Sequence, residues 1–403
     1  MTRQVQLIMV TENNNNKFYN MTEEGSQIRI EYGRVGAAVR TCYKSISQWD
    51  KIYREKTGKG YKDITSLKSE LKIKSDYKQI ENIETRYIVD LLLSRSRQCI
   101  ANNYRVSYTE VTQMQIDEAQ RIIDELTTMQ SSTAISNRFN DFNKSLLKLY
   151  TVIPRKMAHV NDHLMQINAS YEDFQRKICK EQDLLDTMAT QVNQNKVLEN
   201  NTGKDITILE ANNIEIVPVV EAADLEIIKY KLGDNANQFV QAWKVVNKNT
   251  QEKFNSNRSS LIDPVIRTHL LWHGSRTENW WSIISNGLVI RPSNAVYTGS
   301  MFGDGLYFAS KAQKSIGYTS LSSSYWARGN DNKAYLALYD VQTGKQYHIE
   351  KHTSECYSLN KKTVNEKGYD SIFAHKGADL RNDEFIVYDS AQATITYLVE
   401  IKR

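Results

Sequence analysis

Two short runs hold a dense set of side chains able to do chemistry. His273-Gly274-Ser275-Arg276 closes the apolar run Leu270-Leu271-Trp272. Met301-Phe302-Gly303-Asp304-Gly305 leads into Leu306-Tyr307-Phe308, and Lys314, Ser315 and Tyr318 follow. The first run puts a titratable ring and an open backbone at a strand end. The second supplies aromatic faces and small residues. Glycine lets backbone N–H and C=O groups approach closely. Tyrosine offers ring faces, and serine a short hydroxyl donor. The mixture suits a slot for a flat, polar heteroaromatic ring.

The elements that must position these residues are short. Residues 268–272 read as a strand, 279–286 as a helix stopped by Gly287, 305–309 as a strand and 311–318 as a helix. Residues 206–209 read as a short strand, 224–232 as a helix and 239–246 as a strand. Residues 334–341 alternate as a strand, and 384–389 and 393–401 close the chain as strands. Many short strands with returning glycines make 205–403 a β-rich α+β domain.

The preceding region is different. From Tyr61 to Thr202 there is no glycine, and Pro154 is the only proline. Ile80, Ile83, Tyr87 and Leu91 fall at helical spacing. Thr112 and Gln115 have the form of a capping box. They open a helix with Ile116, Ala119, Ile122, Ile123 and Leu126 on one face. Residues 145–150 continue as helix and stop near Pro154. Residues 173–192 form another, with Phe174, Ile178, Leu185 and Met188 apolar. These stripes predict an all-α helical bundle over 75–200. In residues 1–65, strands at 5–10, 17–21 and 27–32 precede the turn Gly33-Arg34-Val35-Gly36 and a helix from Trp49, predicting a small antiparallel sheet.

Composition sets the class. The chain has 403 residues, 40% hydrophobic and 25% charged, as expected of a globular protein of two to four domains. The formal net charge is +5. Residues 1–63 carry eleven Lys and Arg against seven Asp and Glu, so most of the excess lies there and hints at a polyanionic partner. Cys42, Cys99, Cys179 and Cys356 are isolated, with no Cys-x-x-Cys pair. This argues against a structural zinc and a disulfide framework, and the expectation is no metal. His159 and His163 read as packing or surface residues. No signal peptide and no stretch long enough to span a bilayer is read, so no membrane role and an intracellular location are expected.

Tyr32-Gly33-Arg34-Val35-Gly36 with Tyr53-Arg54-Glu55-Lys56-Thr57-Gly58 resembles the Trp-Gly-Arg (WGR) domain of the DNA-dependent poly(ADP-ribose) polymerases. Leu149-Tyr150-Thr151-Val152-Ile153-Pro154 resembles their helical regulatory domain. The runs at 271–276, 301–308, 314–318 and 382–389 resemble their catalytic domain. The resemblance covers essentially the whole chain. It implies a WGR-like domain over 1–65, a helical regulatory domain over 75–200 and an ADP-ribosyltransferase domain over 205–403.

What the resemblance implies for chemistry is specific. The substrate is NAD+, whose nicotinamide leaves while ADP-ribose passes to protein acceptors, the enzyme itself included. The family's His-Tyr-Glu set falls on His273, Tyr307 and Glu384. His273 would bind the adenosine ribose. Gly274 and Ser315 would hold the carboxamide, with Ser275 beside them. Tyr318 would stack on the ring and Tyr307 wall the opposite side. Glu384 would take the nicotinamide-ribose hydroxyl and orient the acceptor. Lys314 would neutralise acidic groups of acceptor or intermediate. Tyr32 and Arg34 would contact DNA with strand breaks, Arg34 by forking onto a phosphate. The compartment would be the nucleus in a eukaryote and the cytoplasm or nucleoid in a bacterium.

Three departures stand beside this. Tyr32 replaces the tryptophan of the WGR motif. Gly287-Leu288-Val289-Ile290 lacks the arginine the family often has, and Arg291 follows. The stretch 360–381, read as a loop, is unlike the family in its later half. Two other readings are a mono-ADP-ribosyltransferase and a non-catalytic DNA-binding scaffold.

Overall fold

The structure is a computed structural model. It describes residues 3–65, 77–104, 111–130, 135–201, 205–263, 268–290, 301–322, 324, 327, 329–377 and 380–403. Arg291 lies outside them. The chain divides into two compact units, 1–74 with 98–195, and 75–97 with 196–403.

The first unit begins with β1 (Gln4–Thr11), β2 (Asn15–Glu24), β3 (Gln27–Arg34) and β4 (Arg40–Ser45), then α1 (Trp49–Gly58) and β5 (Lys62–Asp63). The strands pair antiparallel in the order β4-β3-β2-β1-β5. Successive side chains point to opposite faces. Leu7 therefore enters a core with Tyr19, Met21, Ile28, Ile30 and Trp49. Its neighbour Ile8 enters another with Val10, Val35 and the helices.

Those helices are α2 (Ile83–Asn103), α3 (Gln113–Gln130), α4 (Ile135–Val152) and α5 (Tyr171–Asn200). The capping box forms: Gln115 N–H donates to Thr112 Oγ1 at 3.2 Å, and Thr112 N–H to Gln115 Oε1 at 3.1 Å. Ile116, Ala119, Ile122, Ile123 and Leu126 are buried in one core together with Phe174, Ile178, Leu185 and Met188. A helical bundle with a core of its own is not shown, because the small sheet shares this core.

The apolar face expected from Ile80, Ile83, Tyr87 and Leu91 is corrected in part: Ile80 and Leu91 pack, partly buried, against the core. Ile83 and Tyr87 are 72% and 41% exposed. Ile88, Val89, Leu92 and Leu93 are buried instead. Thr85, one turn before Val89, donates its hydroxyl to Ile216 O at 3.0 Å. The first part of α2, to Arg97, belongs to the second unit.

The second unit continues with α6 (Ile208–Ala211), β6 (Ile214–Pro218), α7 (Ala222–Leu232), β7 (Phe239–Asn247), α8 (Lys248–Asn257), β8 (Thr268–Gly274) and α9 (Trp280–Asn286). Then come β9 (Leu306–Ala309), α10 (Ala312–Ile316), β10 (Lys333–Gln342), β11 (Gln346–Ile349), α11 (Lys361–Glu366), β12 (Ser371–Ala374), β13 (Glu384–Val387) and β14 (Ala393–Lys402). One mixed sheet runs β11-β12-β13-β9-β8-β10-β14-β7-β6, with β11 and β12 parallel and the other pairs antiparallel.

Three expectations change here. The strand read at 206–209 is a helix start. Thr207 caps it and Glu210 closes the box, which overrides the β-branched composition. The strand at 334–341 does not alternate between core and solvent. It lies between β8 and β14 and is buried on both faces, Tyr335, Ala337 and Tyr339 in one core and Leu336 and Leu338 in the other. The stretch 360–381 is not a plain loop, since it holds α11 and β12.

Candidate active site

Strand register brings the site together. Trp272 of β8 pairs with Ala309 of β9, and Ala309 pairs with Glu384 of β13. Neighbouring strands lie about 4.8 Å apart, so roughly 10 Å of sheet separates the backbone of Trp272 from that of Glu384. Tyr307 sits two residues along β9, opposite Ile386.

At the β8 end, His273 is partly buried, its ring centroid 6.4 Å from Trp280, 5.8 Å from Phe308 and 6.0 Å from Tyr339. Its Nδ1 lies 3.1 Å from Tyr307 O. A carbonyl only accepts, so Nδ1 carries the proton and Nε2 is left with its lone pair. Burial lowers the ring's pKa and the carbonyl bond opposes this only in part, so the ring is neutral at pH 7.

Gly274 sits where a side chain has no room. A Cβ there would fall 1.9 Å from Ser315 O. The strand end and α10 thus touch through backbone, and Ser315 is buried beside it. Ser275 Oγ accepts from Asn279 Nδ2 at 3.3 Å. Tyr318 follows α10 and is half-buried. Burial raises its phenol pKa, and the Glu384 carboxylate adds to the shift.

The acid is the most unusual group. Glu384 is 4% exposed. Its Oε1 is bonded by the Lys314 ammonium, and its Oε2 is buried with no hydrogen-bond partner among the described residues. Burial raises its pKa above the ordinary glutamate value, and Lys314 opposes the shift. A buried carboxylate oxygen with nothing to accept from is costly. It leaves an acceptor open to an incoming donor.

Tyr307 has two jobs on one turn. Its hydroxyl donates to Gly303 O at 2.7 Å and accepts from Phe302 N–H at 3.0 Å. Gly303 has φ +73°, and a Cβ there would meet Leu359 O at 1.9 Å. Tyr388 donates its hydroxyl to Phe302 O at 2.5 Å, and His352 Nε2 lies 2.8 Å from Met301 O. The turn that starts β9 is therefore fixed from four sides. Asp304 at its tip is half-buried, which pushes its carboxyl up to about 7.

Tyr32 and Arg34 belong to the first unit. Tyr32 packs at 5.9 Å from the Tyr19 ring. Arg34 donates to Asn14 O at 2.9 Å, Asn14 Oδ1 at 2.8 Å, Met157 O at 3.4 Å and Ala158 O at 2.6 Å. The structure thus joins His273 to Tyr307, Gly274 to Ser315, and Lys314 to Glu384. Lys314 touches the acid itself, a contact that sequence reasoning did not anticipate. The braces from Tyr388 and His352 were also missed. Tyr388 had a signal, as the last aromatic of the 382–389 run; His352 had none.

Comparison with known proteins places the chain in a family. The poly(ADP-ribose) polymerase catalytic domain model matches residues 229–403, and the WGR domain model matches 3–68. The chain is 33% identical over 156 residues to a putative poly [ADP-ribose] polymerase-like protein 100L of Invertebrate iridescent virus 6, covering 38% of this chain and 80% of that one. The chain belongs to the poly(ADP-ribose) polymerase family. It is an NAD+ ADP-ribosyltransferase. A second polypeptide of that virus, uncharacterized protein 101L, is 35% identical over 196 residues, covering 48% of this chain and 80% of its own. Poly [ADP-ribose] polymerase 1 of Gallus gallus is 25% identical over 408 residues, covering 93% of this chain and 36% of its own length. No helix among the described residues is long and apolar enough to cross a membrane.

Proposed function

We propose that this transferase builds poly(ADP-ribose) on protein acceptors, itself included, and that DNA strand breaks activate it. The observation that carries the catalytic half is Glu384, buried, with one oxygen on Lys314 and the other without a partner among the described residues. In this reading the free oxygen accepts the 2′-hydroxyl of the nicotinamide ribose.

Gly274 and Ser315 hold the carboxamide through backbone and hydroxyl groups, with Ser275 alongside. Tyr307 and Tyr318 enclose the ring. His273 binds the adenosine ribose through Nε2. The C1′–N bond then breaks with its electron pair going to the ring nitrogen. Nicotinamide leaves neutral, so no general acid is needed. The ribose takes oxocarbenium character, which the carboxylate stabilises electrostatically. The acceptor oxygen forms the new bond to C1′ and its proton passes to the Glu384 carboxylate. Lys314 holds that carboxylate in place and ionised.

The regulatory half rests on the WGR match and on Arg34. In this reading Tyr32 and Arg34 meet the broken DNA end. The Arg34 guanidinium is already bonded to Asn14 and to the 157–158 carbonyls, so meeting a phosphate requires it to exchange those bonds. That exchange would free the 157–160 segment and couple DNA to the helical region over 75–200, which otherwise limits NAD+ entry.

Labelled NAD+ with and without nicked or blunt DNA tests both halves. Long self-attached polymer that rises with DNA is expected. Equal turnover without DNA removes the regulatory half, and single ADP-ribose units only would make this a mono-ADP-ribosyltransferase. No nicotinamide release under any DNA condition would leave a scaffold.

A further inference from the structure

We propose that two copies of this chain associate through the outer face of α7, as an antiparallel pair of helices about a two-fold axis. α7 is apolar on two sides. Ile228 and Leu232 are buried in the core that also holds Trp272 and Val399. Successive helical residues turn by about 100°. Ala223, Ile227 and Tyr230, at i, i+4 and i+7, therefore share a second stripe on roughly the opposite side. That stripe faces solvent: Ile227 is 44% and Tyr230 83% exposed, and Ala223 is exposed beside them. The apolar surface continues beyond the helix. In β6, Ile214 and Ile216 enter the core with Trp243, so Val217 points to the other face of the sheet, the one α7 covers. Val217 is exposed, and so is Val220 between β6 and α7. β6 ends the sheet, so the patch lies at a free edge among the described residues. Single exposed apolar residues are ordinary, but a continuous stripe marks an interaction surface.

The occupant is a second copy because the stripe is complementary to itself. A two-fold axis through Ile227, normal to the helix, sets Ile227 against Ile227 of the second copy. It sets Tyr230 against Ala223, large against small, and Ala223 against Tyr230 in return. Glu226 and Lys229 lie on one flank of the stripe, and the same axis brings Glu226 across from Lys229 of the second copy. Lys229 is exposed, its ammonium 5.6 Å from the Phe239 ring centroid. On the other flank Asp224 and Lys231 face each other in the same way. Those two already bond within the unit, Asp224 to Tyr397 OH and Lys231 to Leu270 O, both at 2.8 Å, so they add charge and no new hydrogen bond. A parallel pair would gather the acidic Asp224 and Glu226 of both copies at one end and Lys229 and Lys231 at the other. The charge order thus selects the antiparallel arrangement.

Sedimentation velocity on the full chain, without DNA or NAD+ and over a concentration series, tests this. A reversible monomer–dimer equilibrium is expected. Ile227→Asp and Tyr230→Ser, both at exposed positions, should each weaken it by about tenfold or more. Glu226→Lys should weaken it by about fivefold. Adding Lys229→Glu to that variant should restore the wild-type affinity, because the swapped charges again face each other across the axis. A wild-type chain that is monomeric at every concentration overturns the proposal. So does a dimer that Ile227→Asp leaves intact, or a Glu226→Lys loss that Lys229→Glu does not reverse.

Discussion

The first unit buries Glu181 against a cation, the second buries Glu384 and Glu400, and Glu181 and Glu384 are finished differently. Glu181, in the first unit, accepts from Arg155 on Oε2, and from Tyr150 OH at 3.1 Å and Lys177 at 3.3 Å on Oε1. Arg155 in turn stacks on Tyr104 at 4.1 Å. Burial pushes the Glu181 carboxyl up, but Arg155 and Lys177 outweigh it and the net shift is downward. Glu384 has one cation and an oxygen with no partner among the described residues, and its net shift is upward. A satisfied buried carboxylate holds structure together. A half-satisfied one keeps an acceptor open at a cost in stability, as expected where binding is to come.

Substitutions can break or sharpen that contrast. Glu181→Ala leaves Arg155 buried without its partner and should cost about 3–5 kcal/mol in denaturant unfolding. A loss below about 1 kcal/mol, the scale of an exposed pair, would end the distinction. Glu384→Gln should leave the unfolding midpoint nearly unchanged. It should lower nicotinamide release by about 10²–10³-fold, the scale of one lost electrostatic contact, and remove chain elongation. Long polymer from that variant would refute the role given to the acid. Gly274→Ala must move β8 or α10 away from the 1.9 Å clash with Ser315 O. A shift of that size should cost about 10²-fold in kcat/KM for NAD+; unchanged kinetics would remove Gly274 from the site.

The smallest effect is on pH. The folded Glu384 pKa is raised above 4.5, so ionising it in place becomes costly as pH climbs from there through its folded value. Activity needs the ionised form. The acid limb of nicotinamide release should therefore lie above the ordinary glutamate range. Lys314 favours the carboxylate, so Lys314→Met should move that limb to higher pH. A limb that stays put would mean the ammonium does not govern the charge of Glu384.

Local signals were legible where one element carries all the information. Thr112 and Gln115 start α3 by their own side chains, and the Ile116 to Leu126 face follows from 3.6-residue spacing. They failed where two local signals compete. Ile206-Thr207-Ile208 looks β-branched, yet Thr207 and Glu210 cap a helix. Ile83 and Tyr87 have helical spacing, yet the buried stripe of α2 runs through Ile88 and Leu92.

The residue types of the site are legible in the chain alone, because each motif keeps its residues within one short element. His273-Gly274-Ser275, the Gly303 turn into Tyr307, and the acid opening the last motif were all visible without coordinates. What each one faces is set by packing between elements. Lys314 meets Glu384, Gly274 meets the Ser315 carbonyl, and Arg34 meets Asn14 and Ala158. These partners come from different elements. Strand register and helix packing set them, and a one-residue slip in either would separate every pair.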